Sequence, residues 1–281
     1  MRILIAWAAF AAFAASGPAL AQSALARDTI DVAASYNAAR AALEAGDDST
    51  AVGLLMWVAE RWPDSAEVWH ALGTGRTRLG DVVGAEFALR RALSLEPRDP
   101  ALYTHLGLVL VRRGDVDGAV ANYLAALGLD PAFVDARYNL GLAYRSQQRY
   151  SASEAQFRRA VEDSSGFLPG RYALAVVLKS QGRVDDAISE LERIVELDSS
   201  WVPARAELGF IASKRGAYDR AERQFRAALG FDPRDVRSRY GLGVTYVLQR
   251  QWVNAQAQCD TLKRYDEGLA ARLQRLITPE R

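Results

Sequence analysis

A period of 34 residues limits what this chain can fold into more than any other feature. Gly73, Gly107 and Gly141 stand one period apart, and Gly209 and Gly243 lie two and three periods beyond Gly141. Leu106 repeats as Leu72, Leu140, Leu174, Leu208 and Leu242. Ala119 repeats as Ala51, Ala85, Ala187, Ala221 and Ala255, with Ser153 the exception in that column, and Pro131 repeats as Pro63, Pro97 and Pro233. No insertion breaks the frame between Val32 and Leu269, so the chain holds seven equal units.

One unit, Pro100 to Pro131, reads as two helices and a turn. Leu102, Tyr103, Leu106, Gly107 and Leu110 share one helical face. Gly114-Asp115 interrupts the pattern, the glycine supplying a permissive backbone. Ala119, Val120, Tyr123, Ala126 and Leu127 then form a second apolar stripe, and Pro131, which has no N–H to donate, ends it. Small residues at Gly107, Ala119 and Ala126 let the two helices come close. Neither stripe can be buried within one unit, so the units must stack.

A helix–turn–helix unit of this length, with Leu-Gly, Ala, aromatic, Ala and Pro in this order, resembles the tetratricopeptide repeat. Ala136 to Ala160, ARYNLGLAYRSQQRYSASEAQFRRA, carries the resemblance best. It implies an all-α fold, a right-handed superhelical solenoid of units 32–65, 66–99, 100–133, 134–167, 168–201, 202–235 and 236–269. Residues 270–281 are expected to form a C-terminal capping helix and tail, with Leu276 at the leucine position. The first unit is degenerate, with Ala38-Ala39 in place of Leu-Gly. Its Leu54, Met56, Trp57 and Trp62 read either as packing on the second unit or as an exposed contact patch.

Residues 1–21 fall outside the repeat. Arg2 is their only charge, Ile3 to Ala15 is uninterrupted apolar sequence, and Ala19-Leu20-Ala21 fits the small-x-small pattern of a cleavage site. The run falls short of the ~20 residues that span a bilayer, so a secretory signal peptide is expected rather than an anchor. A polar linker is expected at 22–31. The expected location is periplasmic or secreted, with no stable membrane span after cleavage. The single cysteine allows no intramolecular disulfide, and a solenoid of this size does not need one.

With 35 basic and 34 acidic residues, the chain lacks the basic footprint that nucleic-acid binding requires. No phosphate loop, nucleophile elbow or HExxH is present. His70 and His105 lack the further ligands a metal site needs, and Cys259 occupies a core aromatic position without a partnered histidine. No cofactor and no catalytic activity are expected.

The expectation is therefore a non-catalytic interaction scaffold or assembly factor, with a protein or peptide partner. In the resembling family the first helices line a groove. Carried onto this sequence, the fifth positions are Tyr36, His70, Thr104, Tyr138, Tyr172, Ala206 and Tyr240, and the ninth are Arg40, Thr74, Leu108, Leu142, Val176, Phe210 and Val244. Tyr36, Tyr138, Leu142, Tyr172, Val176, Phe210 and Tyr240 make a wall suited to an extended peptide or a helix. The same rings would also suit filling the inner curve, or stacking a glycan, the alternative ligand. The family's carboxylate clamp is not carried over: Asn37 and Asn139 match its Asn, but Ala33, Glu67, Ala101 and Asp135 stand at its Lys positions. A ladder at Arg137, Arg171, Arg205 and Arg239 reads either as a grip on an acidic or aromatic partner or as packed side chains paired with Asp130, Asp198 and Asp232.

Overall fold

The computed structural model describes the backbone of residues 18–278 and the side chains of residues 31–278; most of the expected signal segment lies outside the described residues. Among them there are fifteen α-helices and no strand. The chain divides into two compact units, Met1–Ala136 and Arg137–Arg281. The first contains α1 (Pro18–Ala45), α2 (Asp48–Arg61), α3 (Ala66–Leu79), α4 (Val82–Leu95), α5 (Pro100–Arg113) and α6 (Val116–Leu129). Helix α7 (Val134–Ser146) crosses the boundary. The second unit continues with α8 (Tyr150–Asp163), α9 (Leu168–Ser180), α10 (Val184–Leu197), α11 (Val202–Lys214), α12 (Tyr218–Phe231), α13 (Val236–Leu248), α14 (Trp252–Leu262) and α15 (Glu267–Ile277).

Helix ends follow from local chemistry. Asp81 and Asp115 accept from the backbone N–H three residues ahead, at Gly84 and Gly118, which satisfies otherwise orphaned donors. Pro100, Pro169 and Pro203 stand in the first turns of α5, α9 and α11, where a missing N–H costs nothing. The turn inside most repeats needs a left-handed residue, supplied by Gly46, Gly80, Gly114, Gly182 and Gly216. Gln148 and Arg250 take that position with φ of 59° each.

In the second, third, fourth and sixth repeats the two helices close on a glycine of the first helix. A Cβ at Gly107 would lie 2.4 Å from the Tyr123 ring, at Gly141 2.6 Å from Phe157, and at Gly209 2.7 Å from Phe225. Tyr123, Phe157 and Phe225 are completely buried there. In the last full repeat the space beside Gly243 is filled by Leu273 of α15, and the smaller Cys259 takes the buried aromatic position.

Two features differ from the sequence expectations. The backbone of residues 22–31 is helical, part of α1, where a linker was expected; after Pro18 that stretch contains no glycine or proline to interrupt a helix. Helix α15 begins at Glu267, and it buries Leu273 and Ala270 while Leu276 is 44% exposed. The cap is thus seated three residues from its expected register. In the first repeat, Leu54, Trp57 and Trp62 pack against the core of α1–α3, while Met56 stays exposed.

Candidate functional site

The residues expected to line a groove fall on the first helix of each repeat. In the first unit Tyr36, Arg40, His70 and Thr74 of this set line a cavity of about 290 Å³ together with Glu67 and His105, while Thr104 is buried. Tyr36 and Arg40 come from α1, Glu67, His70 and Thr74 from α3, and His105 from α5. Burial, followed by a hydrogen bond to Glu67, holds the Tyr36 hydroxyl well above the usual phenol range. The imidazoles of His70 and His105 touch, Nε2 of one against Nδ1 of the other, with ring centroids 4.6 Å apart. Burial lowers both, and His105, further lowered by His70, is pushed down to about 4. Both rings are therefore neutral at pH 7.

In the second unit the expected wall is half-buried. Tyr138 packs edge-on against Phe167 at 5.3 Å and also meets Phe157. Leu142 and Tyr172 rest on the core of α8–α11. Phe210 stacks edge-on against Phe225 at 5.0 Å, and Arg272 lies over Tyr240 at 5.7 Å. Val176 is likewise only partly covered. These side chains serve the core with one side and leave the other accessible.

Sequence reasoning missed a charged cluster on this same face. Glu207 of α11 is 7% exposed. It accepts from Lys179 of α9 and from Arg237 of α13 at 2.7 Å. Burial raises the Glu207 carboxyl, but hydrogen bonds and charge from Lys179 and Arg237 outweigh burial and keep it below the usual carboxylate range. Arg237 also reaches the Tyr172 hydroxyl and lies 5.7 Å from the Phe210 ring. A signal existed: the sixth position of each repeat is Asn, Ala, His, Asn, Ala, Glu and Gly in turn, so Glu207 is its only carboxylate.

The arginine ladder closes the turns between repeats. Arg171 donates to the carbonyl of Ser165 and to Glu190, Arg205 to Ser199 and Gln224, and Arg239 to Pro233 and Gln258. Each reaches one carbonyl six residues back and one side chain nineteen ahead. Trp69 and Tyr103 at the same repeat position donate to the carbonyls of Pro63 and Pro97, also six back. Arg137 pairs with Asp163 at 3.1 Å. The expected ion partners Asp130, Asp198 and Asp232 close their own turns by accepting the N–H two residues ahead.

The model of the tetratricopeptide repeat matches residues 70–132, 104–167 and 206–270, and a second model of that repeat matches 168–200. The chain belongs to the tetratricopeptide repeat family. No curated protein matches it in sequence. Among solved structures it is similar to YrrB, a TPR protein with an unusual peptide-binding site, at 26% identity over 67% of this chain and 98% of that one, with a TM-score of 0.53. It is also similar to pilF of Pseudomonas aeruginosa, at 19% identity over 74% and 96% with a TM-score of 0.65. A tetratricopeptide repeat protein from Parabacteroides merdae matches at 17% identity over 88% and 98% with a TM-score of 0.66.

The rest of this TPR chain offers little chemistry. No group of three or more potential ligands able to hold a metal ion is found among the described residues. Burial raises the Cys259 thiol, which opposes formation of a thiolate. No described helix is long and apolar enough to cross a membrane.

Proposed function

We propose that this TPR chain is a non-catalytic interaction scaffold of the cell envelope, holding a peptide or helix against the first-helix face of its second unit. One observation carries the reading: Tyr138, Leu142, Tyr172, Val176, Phe210 and Tyr240 stay only partly covered although each comes from a helix whose opposite side is core. Rings held on one side and open on the other give a rigid contact surface at low entropic cost. The likeness to YrrB, a TPR protein with a peptide-binding site, supports a peptide as occupant. The envelope location rests on the sequence of residues 1–21.

The test is affinity capture with the full chain from the periplasm and membranes of its source, beside Tyr138→Ala/Tyr172→Ala. A partner recovered with the native chain and lost with the variant is expected. A partner retained by the variant would overturn the assignment to this face. A chain recovered only from the cytosol would overturn the envelope location.

A further inference from the structure

Glu207 is a buried carboxylate with two cationic partners, and it neutralises only one of their charges. Arg237 also interacts with the Tyr172 side chain and lies 5.7 Å from the Phe210 ring. The carboxylate is sealed while the cations are not: the side chain of Glu207 is 9% exposed, those of Lys179 and Arg237 39% and 53%. An ammonium, a guanidinium and a phenol thus meet at one place on the first-helix face, held by an acid that solvent scarcely reaches.

The surroundings of this excess charge are apolar. Tyr172, Val176 and Lys179 lie at i, i+4 and i+7 of α9, so they share one stripe. Phe210 and Arg237 bound the same place from α11 and α13. A cation pair beside aromatic and aliphatic surface is complementary to a chain that alternates carboxylate and apolar groups at amino-acid spacing. Charges of this kind select partners and speed encounter more than they add raw affinity.

We propose that Lys179, Arg237 and the Tyr172 hydroxyl form a subsite for an aspartate or glutamate side chain of a bound peptide, and that Glu207 is the resident carboxylate that positions the two cations. This rests on the reading of the second unit as a peptide-binding face. It assigns that face an acidic segment, with apolar neighbours of the acid seated on Val176 and Phe210. Glu207 acts through Lys179 and Arg237 and need not touch the partner. As a resident anion, it also competes for them.

The competition gives the test its sign. Random dodecamer peptides displayed on phage are selected on the immobilised full chain, and the enriched peptides are measured in solution at two salt concentrations. Enrichment of Asp or Glu beside an apolar residue is expected, with binding that weakens as salt rises. Glu207→Gln frees both cations and is expected to bind the acidic peptide more tightly. The triple variant Lys179→Met, Glu207→Leu, Arg237→Met removes the network as a whole, so no charge is left buried without a partner. It is expected to lose at least about tenfold in affinity for the acidic peptide while its melting temperature stays close to the parent's.

Enriched peptides without acids, or acidic peptides that bind the triple variant equally well, would overturn the subsite and leave the peptide-binding face standing. Weaker binding by Glu207→Gln would overturn the competition by the resident anion, because it would show that the two cations depend on Glu207 for their position. No enrichment at all would remove both the subsite and the face. Polygalacturonate, included as a probe, would displace the proposal if it bound the native chain, failed with the triple variant, and no peptide were enriched.

Discussion

The Ser153 hydroxyl, fully buried, donates to the carbonyl of Gly141 across the helix pair at 2.7 Å. Every other repeat that keeps this column has alanine there. The serine adds one polar atom to the closest approach of α7 and α8 and satisfies it on the spot. Ser153→Ala removes donor and hydrogen bond together, so nothing is left unpaired. A loss of only about 0.5–1.5 kcal/mol is expected in urea denaturation. Ser153→Val, which overfills the contact, is expected to lose more.

Glycine position, not glycine content, sets the packing. Gly141→Ala places a Cβ 2.6 Å from the Phe157 ring, whereas Gly128 in α6 has nothing within 4 Å of its Cβ position. The same substitution therefore has opposite signs. Gly141→Ala is expected to destabilise by about 1–3 kcal/mol through overpacking. Gly128→Ala is expected to stabilise by about 0.4–1 kcal/mol through the unfolded chain. Denaturant midpoints of the two variants decide this directly.

Gln148 and Arg250 hold a left-handed backbone that five other repeats give to glycine. A side chain there costs about 1–2 kcal/mol. Gln148→Gly and Arg250→Gly should each raise the melting temperature, although glycine elsewhere in a folded chain lowers it. Gly182→Ala should lower it. A fall in both glycine variants would show that these two side chains contribute contacts worth more than the strain.

Low pH should weaken the first unit. His105 falls to about 4 in the fold from an ordinary value of 6.5, and His70 also falls, because both are buried. Asp99 opposes the fall at both rings, with Glu67 and Glu96 doing so at His70 and Asp135 at His105. Above about pH 6.5 folded and unfolded chains are both unprotonated at these sites, and stability is complete. As pH drops through that value the unfolded chain gains protons first, and stability declines until the folded value is reached. Between pH 7 and pH 5 the native chain should lose about 2 kcal/mol, and His70→Gln/His105→Gln should lose less. Equal losses would place the pH dependence elsewhere.

Arg171 joins the Ser165 carbonyl to Glu190 at 3.3 and 2.6 Å, with its side chain 12% exposed. Arg171→Met should cost about 1–3 kcal/mol by leaving both acceptors short of a donor. Arg171→Lys should recover only part, because one ammonium cannot span both partners. Full recovery by lysine would show that charge alone matters at this position.

The sequence disclosed the repeat, the helix pairs and the side chains that face each other across them. Periodicity carries that information because a helix face recurs every few residues and a repeat recurs at a fixed period. It also placed Tyr138, Tyr172 and Phe210 on one face. It did not disclose the Lys179–Glu207–Arg237 cluster, since these residues hold three different repeat positions and come from three helices. The same limit hid the partners of the ladder. Arg171 and Glu190 lie nineteen residues apart, a spacing that means nothing until the turn is folded.

By itself, then, the sequence determined the architecture: local backbone preference and burial of apolar stripes leave a chain with this period no other economical fold. Only the tertiary structure decided which polar groups are paired, that Leu273 rather than Leu276 caps the last repeat, and that Glu207 lies buried between two cations. Pairing of that kind depends on distances between helices, which follow from side-chain volumes in contact. No spacing along the chain records them.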